Sequence, residues 1–298
     1  MNAAPGFVPS YIEVTAGGTA SSGGASGTAV VLHGILGSAA NWRSFVRRLV
    51  DSSPTAARLR WVLVDLRAHG ESALTRAPPP NTVAACAADL ARLANVLGAT
   101  VELVIGHSFG GKVALAFAQE HSLATRAAWF LDTPPGPAEL SDGRGKLAGI
   151  DEIANVFSVI ESLPEPLTGR AQVAAAIRAR GLSDALAQWM TTNIRGSAET
   201  GYRWKFDLAV VRELVADYAR LDLWPVVASP RPGLRVHGVR GERSNRFSAD
   251  DSARLDHLGA HVIPDAGHWL HVDAPVALGH IFEAAAREVL ADQVPNTA

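Results

Sequence analysis

Val101-Glu-Leu-Val-Ile105 runs straight into Gly106-His-Ser108-Phe-Gly-Gly111, and a helix-forming stretch follows from Lys112 to about His121. An apolar strand that enters a G-x-S-x-G turn and leaves it as a helix predicts a sharp elbow with Ser108 at its tip. Such a turn holds its central residue at strained backbone angles, so the positions two before and two after it must be small, as Gly106 and Gly110 are. The Ser108 oxygen would then stand clear at the carboxyl edge of a sheet. The helix start behind it would supply a positive dipole end and the backbone N–H of Phe109 as an oxyanion donor. A bare G-x-S-x-G arises by chance in a Gly- and Ser-rich chain; its placement between strand and helix separates it from a plain glycine-rich β-to-α turn.

A serine is inert at neutral pH without a base. Near the C-terminus Ala260-His-Val-Ile-Pro264 reads as a strand, followed by the loop Asp265-Ala-Gly-His268-Trp-Leu-His271. His268 is the candidate base, because Gly267 suits a tight loop that delivers its ring; His271 is the competitor, and a surface histidine is the structural alternative. Near the N-terminus Thr28-Ala-Val-Val-Leu32 reads as a buried strand that ends in His33-Gly34-Ile35-Leu36-Gly37. There the Ile35 N–H is the candidate second oxyanion donor and Gly34 admits close backbone approach. His33 reads as a structural loop residue.

These residues, together with Asp65-Leu-Arg67-Ala-His69-Gly-Glu-Ser72, the elbow extended by Lys112, and Ala266-Gly-His268-Trp269, resemble the α/β-hydrolase superfamily. The likeness is narrower to its compact serine esterases, the abhydrolase-domain proteins of bacteria, plants and mitochondria, and runs from about Ser10 to Leu290. It implies an α/β-hydrolase fold: a mostly parallel, doubly wound sheet with a helical cap inserted after the sixth strand. It also implies Ser108 as nucleophile and His268 as general base. Many relatives carry the acid in a Gly-x-x-Asp context after the strand that follows the cap. Here Gly241-Glu-Arg-Ser244 puts a serine at that position, and a hydroxyl cannot hold an imidazolium as a carboxylate does. Some relatives instead take the acid from the strand after the nucleophile helix. In this chain that strand, Arg126–Leu131, ends in Asp132, which becomes the candidate acid, with Glu242, Asp207 and Asp250 as alternatives and loop capping before Thr133-Pro134 as its structural reading.

The 298 residues are 48% hydrophobic, enough for one α/β domain with an insertion. Mean hydropathy is +0.11 and the sequence pI about 6.6. A net charge of −2, with 19% of residues charged, leaves no polybasic footprint for nucleic acid or an anionic membrane. The single cysteine, Cys86, falls in a helical pattern and reads as a small core residue. No metal and no organic cofactor is implied. Met1-Asn-Ala-Ala-Pro-Gly-Phe-Val-Pro9 lacks the charged and apolar regions of a secretory signal, and no run of about 18 apolar residues occurs, so a soluble cytoplasmic chain without integral membrane association is expected. Ala16 to Thr28, made of Ala, Gly, Ser and Thr alone, reads as a flexible connection.

Strands alternate with amphipathic helices over 1–136 and 226–298, the two expected parts of the core. Trp42, Phe45, Val46, Leu49 and Val50 share one helical face; Trp61–Leu66 is a buried strand; Val83, Ala87, Leu90, Ala94 and Leu97 line a helix capped by Asn81 or Thr82; Leu278, Ile281, Phe282, Ala285 and Val289 face the core from the last helix. Over 137–225 strand signals give way to helical ones such as Ile150, Ile153, Phe157 and Ile160, which predicts the cap. Trp189, Met190, Trp204, Phe206 and Trp224 are its candidate pocket residues, although cap-to-core packing explains such residues too. Arg170, Arg178, Arg180, Arg195 and Arg203 read mainly as solvated helix faces that an anionic thioester could also use. The expectation is a monomeric or weakly dimeric serine hydrolase acting on a small-molecule ester or thioester. C–C bond or lactone hydrolysis, cofactor-free perhydrolysis and a small-molecule receptor are the alternatives on the same scaffold.

Overall fold

A computed structural model describes residues 6–17, 25–137 and 148–291, with side chains described from residue 152 in the last span. Most of the Ala16–Thr28 connection, the first five residues and the side chain of Ile150 lie outside the described residues. The strands are β1 (Tyr11–Val14), β2 (Thr28–Leu32), β3 (Arg60–Val64), β4 (Val101–His107), β5 (Ala127–Leu131), β6 (Ile194–Ser197), β7 (Gly201–Trp204), β8 (Arg235–Gly241) and β9 (His261–Ile263). The helices are α1 (Ala40–Ser52), α2 (Val83–Val96), α3 (Phe109–Glu120), α4 (Ala148–Ser162), α5 (Arg170–Ala179), α6 (Asp184–Thr191), α7 (Leu208–Arg220), α8 (Trp224–Ala228), α9 (Ala249–His257), α10 (Leu270–Asp273) and α11 (Pro275–Ala291).

Seven strands form one sheet in the order β1-β3-β2-β4-β5-β8-β9. Only β1, on β3, is antiparallel; the other pairs are parallel. The central strands are largely apolar because both faces are covered. Val30 and Leu32 of β2 join the core beneath α2 and α3, while Ala29 and Val31 join the opposite core beneath α1 and α11. Five strands precede the insertion among the described residues, one fewer than the six expected. The expectation of a strand-free insertion also needs correction. Ile194-Arg-Gly-Ser197 and Gly201-Tyr-Arg-Trp204 pair as an antiparallel hairpin, β6/β7. Gly196 and Gly201 sit at φ 125° and 72°, angles that a helix could not have used.

Lys112, one residue beyond the glycine pair of the elbow, is fully buried. Its ammonium donates to the carbonyls of Gly136 (2.7 Å), Tyr218 (2.8 Å) and Leu221 (2.6 Å). The first of these lies where the chain leaves β5 and the other two where it returns, so one side chain ties both ends of the inserted segment to α3. Leu223 N–H to Pro135 O at 2.9 Å closes the same junction. Burial lowers the Lys112 pKa to about 8, so the ammonium keeps its proton at neutral pH. Replacing it with Met would leave three inward carbonyls without a donor. Lys112→Met should therefore lower stability by about 3 kcal/mol or more, read as a fall in the thermal denaturation midpoint, while the surface change Lys205→Met should leave the midpoint almost unmoved.

Candidate active site

The elbow takes the form that its glycines permit. Ser108 sits at φ 53°, ψ −122°, a conformation that costs a non-glycine residue energy and persists only where the surroundings over-determine it. Here they do: Ser108 N–H bonds Leu131 O at 2.9 Å, and Ser108 O accepts from Gly111 N–H at 2.8 Å and from the Thr133 hydroxyl at 2.5 Å. A Cβ on Gly106 would lie 1.9 Å from Gly110 O, and one on Gly110 would lie 2.6 Å from His33 O. Backbone therefore packs directly on backbone, and α3 begins at Phe109, three residues earlier than the sequence suggested. Among the described residues neither the Phe109 nor the Ile35 N–H is taken by another group.

The loop that carries Ile35 is held from behind by two buried histidines. His33 Nδ1–H donates to Gly34 O at 2.7 Å and its Nε2 accepts from Leu66 N–H at 3.0 Å. His69 Nδ1–H donates to Arg67 O at 2.9 Å and its Nε2 accepts from Leu36 N–H at 3.0 Å. Asp65 adds two more ties, accepting from Ala39 N–H at 2.7 Å and Glu71 N–H at 2.9 Å. These bonds need neutral imidazoles, and burial supplies them by lowering His33 to about 4 and His69 to about 3. His33 is thus structural, as expected. The role of His69 was not apparent from sequence, although the His-Gly-Glu-Ser stretch contained the signal.

His268 and Asp132, 136 positions apart, meet at the far side of the elbow. His268 Nδ1–H donates to Asp132 Oδ2 at 2.7 Å, which leaves Nε2 as the free acceptor. The same oxygen accepts the Ser244 hydroxyl at 2.6 Å, and Oδ1 accepts Gly241 N–H at 2.9 Å. The serine at the expected acid position therefore contacts the carboxylate that lies elsewhere. Asp132 adopts φ 49°, which short polar side chains tolerate better than most. His107 was also missed: its ring lies 4.6 Å from that of His268, and its Nε2–H holds the His268 carbonyl at 2.8 Å. Desolvation by burial is the largest cause lowering the His268 pKa; the Asp132 hydrogen bond opposes it and the Arg246 charge adds to it.

The alternatives lie elsewhere. His271 packs 4.5 Å from the Trp42 ring, and burial lowers it to about 4. Glu242 accepts Asp265 N–H at the surface, Asp207 caps α7 through Ala209 and Val210 N–H, and Asp250 lies in the first turn of α9. Ser108 and His268 line one cavity of about 50 Å³ with Gly34, Ile35 and Leu36 from the core and Ile153, Val156, Leu186 and Trp189 from the insertion. Of the five candidate pocket residues only Trp189 reaches its wall. Met190, the next residue round α6, is fully buried in the core. Trp204 stacks on Phe206 at 5.1 Å beside the hairpin, and Phe206 bridges to His69. Trp224 fills a small core with Leu115 and Phe130. The aromatic content of the insertion is thus mostly packing. Missed residues of the wall are Trp269, Glu152 and Arg246.

The basic residues of the insertion lie away from the cavity. Arg178 pairs with Asp184, Arg195 with Glu71 and Arg203 with Glu165, and Arg170 lies over the Tyr202 ring; Arg180 ends α5 at the surface. Arg195 and Arg203 are on hairpin strands rather than helix faces. Cys86 is buried and unoxidised, and burial pushes its thiol well up. Among the described residues no cluster of His, Cys, Asp and Glu could hold a metal ion, and no helix is long and apolar enough to cross a membrane.

Comparison with known proteins agrees with this architecture. The sequence profile of the Alpha/beta hydrolase family matches residues 29–279, and the chain belongs to that family. It is 28% identical over 251 residues to a Xenopus tropicalis protein named sn-1-specific diacylglycerol lipase ABHD11, covering 82% of this chain and 73% of the relative. It is 26% identical over 261 residues to Esterase YbfF of Escherichia coli K12, covering 84% and 89%. A solved marine microorganism esterase superposes with a TM-score of 0.73 at 20% identity, over 95% of this chain and 99% of the other.

The buried histidines make stability depend on pH. Their folded pKa values, about 4 and about 3, lie below the ordinary value near 6.5, so below pH 6.5 the unfolded chain binds the extra protons and stability falls. The fall should continue until about pH 4 to 3, where the folded groups protonate too. Urea midpoints measured from pH 7 to 4.5 should drop steadily, and less steeply in His69→Gln, which carries one fewer such group.

Proposed function

We propose that the chain is a serine hydrolase that cleaves carboxylic esters or thioesters through an acyl-enzyme, with Ser108 as nucleophile, His268 as general base and Asp132 as the acid. One observation carries the reading: a serine on a strained elbow and a histidine held by a carboxylate face the same small cavity. The relatives named lipase and esterase support it. His268 Nε2 takes the proton from Ser108 Oγ as the oxygen attacks the carbonyl carbon, and the Phe109 and Ile35 N–H groups hold the oxyanion. His268 then gives that proton to the leaving alkoxide or thiolate, and water repeats the cycle to release the acid. Asp132 fixes the His268 tautomer and stabilises its imidazolium; Ser244 and Gly241 N–H hold the carboxylate in place. In this reading residues 1–136 and 226–298 are the catalytic core and 137–225 the cap over the serine.

Ser108→Ala should remain folded and lose labelling by a fluorophosphonate probe; undiminished labelling would remove Ser108 from the mechanism. Asp132→Asn should lower kcat by roughly 10²- to 10⁴-fold, and His268→Ala by at least as much. Ser244→Ala should be milder, because Gly241 N–H still holds the carboxylate. Partial recovery in Asp132→Asn with Ser244→Asp would place the acid at either position. Near-normal rates in Asp132→Asn would sink the assignment.

A cavity of about 50 Å³ favours short acyl groups. Ile153 separates it from a groove of about 390 Å³ between α4 and α7, since it lines both. Ile153→Ala should join the two and shift the optimum toward longer chains in a series of p-nitrophenyl esters. An unchanged chain-length profile would show that Ile153 is not the barrier.

A further inference from the structure

Among the described residues Arg246 is the one Lys or Arg in the wall of the Ser108 cavity, and Glu152 from α4 is its partner, 2.5 Å away. The two are not equally free. The Arg246 side chain is 14% exposed and that of Glu152 is 32% exposed, and Arg246 belongs to the loop that also holds the acid, with its N–H 3.3 Å from the Ser244 hydroxyl. Glu152 can turn toward solvent at small cost, whereas an unpaired guanidinium at this depth is strongly disfavoured. The wall also has spare donors: Arg246 Nε and Trp189 Nε1 are buried with no acceptor among the described residues. Nearby, the Arg246 charge helps to lower the His268 pKa, which places the guanidinium within electrostatic reach of the proposed base. Apart from Arg246, Glu152, His107 and the residues already assigned to the reaction, the described residues of this wall are Leu36, Ile153, Val156, Leu186, Trp189, Trp269 and Gly34.

Resting on the ester-hydrolase reading, we propose that Arg246 recognises a carboxylate on the substrate, with Glu152 standing in for that carboxylate, so that the preferred substrates are esters of dicarboxylic acids or similarly anionic short acyl groups. A carboxylate is an acceptor-only group that a guanidinium can bind bidentately, and it would replace Glu152 without leaving Arg246 unpaired. A neutral acyl group of the same size gains nothing from Arg246 and leaves the ion pair intact. The exchange makes the insertion responsive to substrate, because Glu152 is carried by α4.

Monoethyl glutarate and ethyl pentanoate differ at the chain end, carboxylate against methyl, and both can be followed by pH-stat titration. The expected result is a higher kcat/KM for monoethyl glutarate in the native chain. The ratio of the two should fall roughly 10- to 100-fold in Arg246→Gln and rise a few-fold in Glu152→Gln, where the internal competitor is gone. Glu152, with its side chain 32% exposed, gives a variant that tests the idea even if Arg246→Gln unfolds. A native preference for ethyl pentanoate, or a ratio unmoved by Glu152→Gln, would overturn the proposal while leaving ester hydrolysis standing. If neither ester is cleaved and Ser108 is not labelled by a fluorophosphonate, the hydrolase reading fails and this proposal with it.

Discussion

Close approach of three backbones at one point governs this molecule. At Gly106 and Gly110 the end of β4, the first turn of α3 and the carbonyls of Leu32 and His33 at the end of β2 come together with no room for a Cβ. That contact forces Ser108 into its strained conformation and brings the Ile35 loop beside the Phe109 N–H. Because β2 and β4 are adjacent and parallel, with Leu32 opposite Gly106, both loops leave the same edge of the sheet. The position of the cavity then follows from strand order.

The loops at that edge are irregular, and buried irregular backbone must find partners for its polar groups. Buried side chains provide them. His33 and His69 each bridge an N–H and a carbonyl, and His107 holds the His268 carbonyl. Asp65 collects two N–H groups, and Gly70 at φ 54° leaves room for its carboxylate, since a Cβ there would lie 2.3 Å from it. Arg67, fully buried against Asp89 at 2.7 Å, also donates to Pro78 and Pro80 carbonyls and so fixes the segment ahead of α2. Removing charge from the histidines by burial is what lets them serve as connectors.

The elbow, the two apolar cores and the alternation of strand and helix were legible because each rests on local pattern: small residues around Ser108, stripes at helical spacing, largely apolar strands. The meeting of Asp132 with His268 was legible for a different reason, that Ser244 puts a hydroxyl where many relatives carry a carboxylate. What sequence did not show was long-range. Trp189 and Met190 are neighbours in sequence, yet one lines the cavity and the other is buried in the core, a distinction set by how α6 is rotated about its own axis in the fold. The β6/β7 hairpin is held by a turn and by contacts such as Leu167 with Tyr202, which four-residue strands cannot signal. Arg246 and Glu152 are 94 positions apart, and neither belongs to a motif.

The electrostatics of the site couple the His268–Asp132 and Arg246–Glu152 pairs. His33, His69, His107, His268 and His271 all have lowered pKa values, with burial the largest cause, and among the described residues the charged side chains that act on His268 are Arg246, Asp132 and Glu152. A proton arriving on His268 is favoured by Asp132 and disfavoured by Arg246, while Glu152 acts in the favourable direction. Glu152 therefore offsets part of the field that Arg246 would otherwise impose on the imidazole. Any anion that took the place of Glu152 beside Arg246 would do the same, whereas a neutral group in that position would leave the imidazolium facing an uncompensated guanidinium. The proposed recognition at the cavity wall and the proposed proton transfer at His268 are in this sense one electrostatic problem, since one carboxylate lies against Arg246 and another against the His268 imidazole.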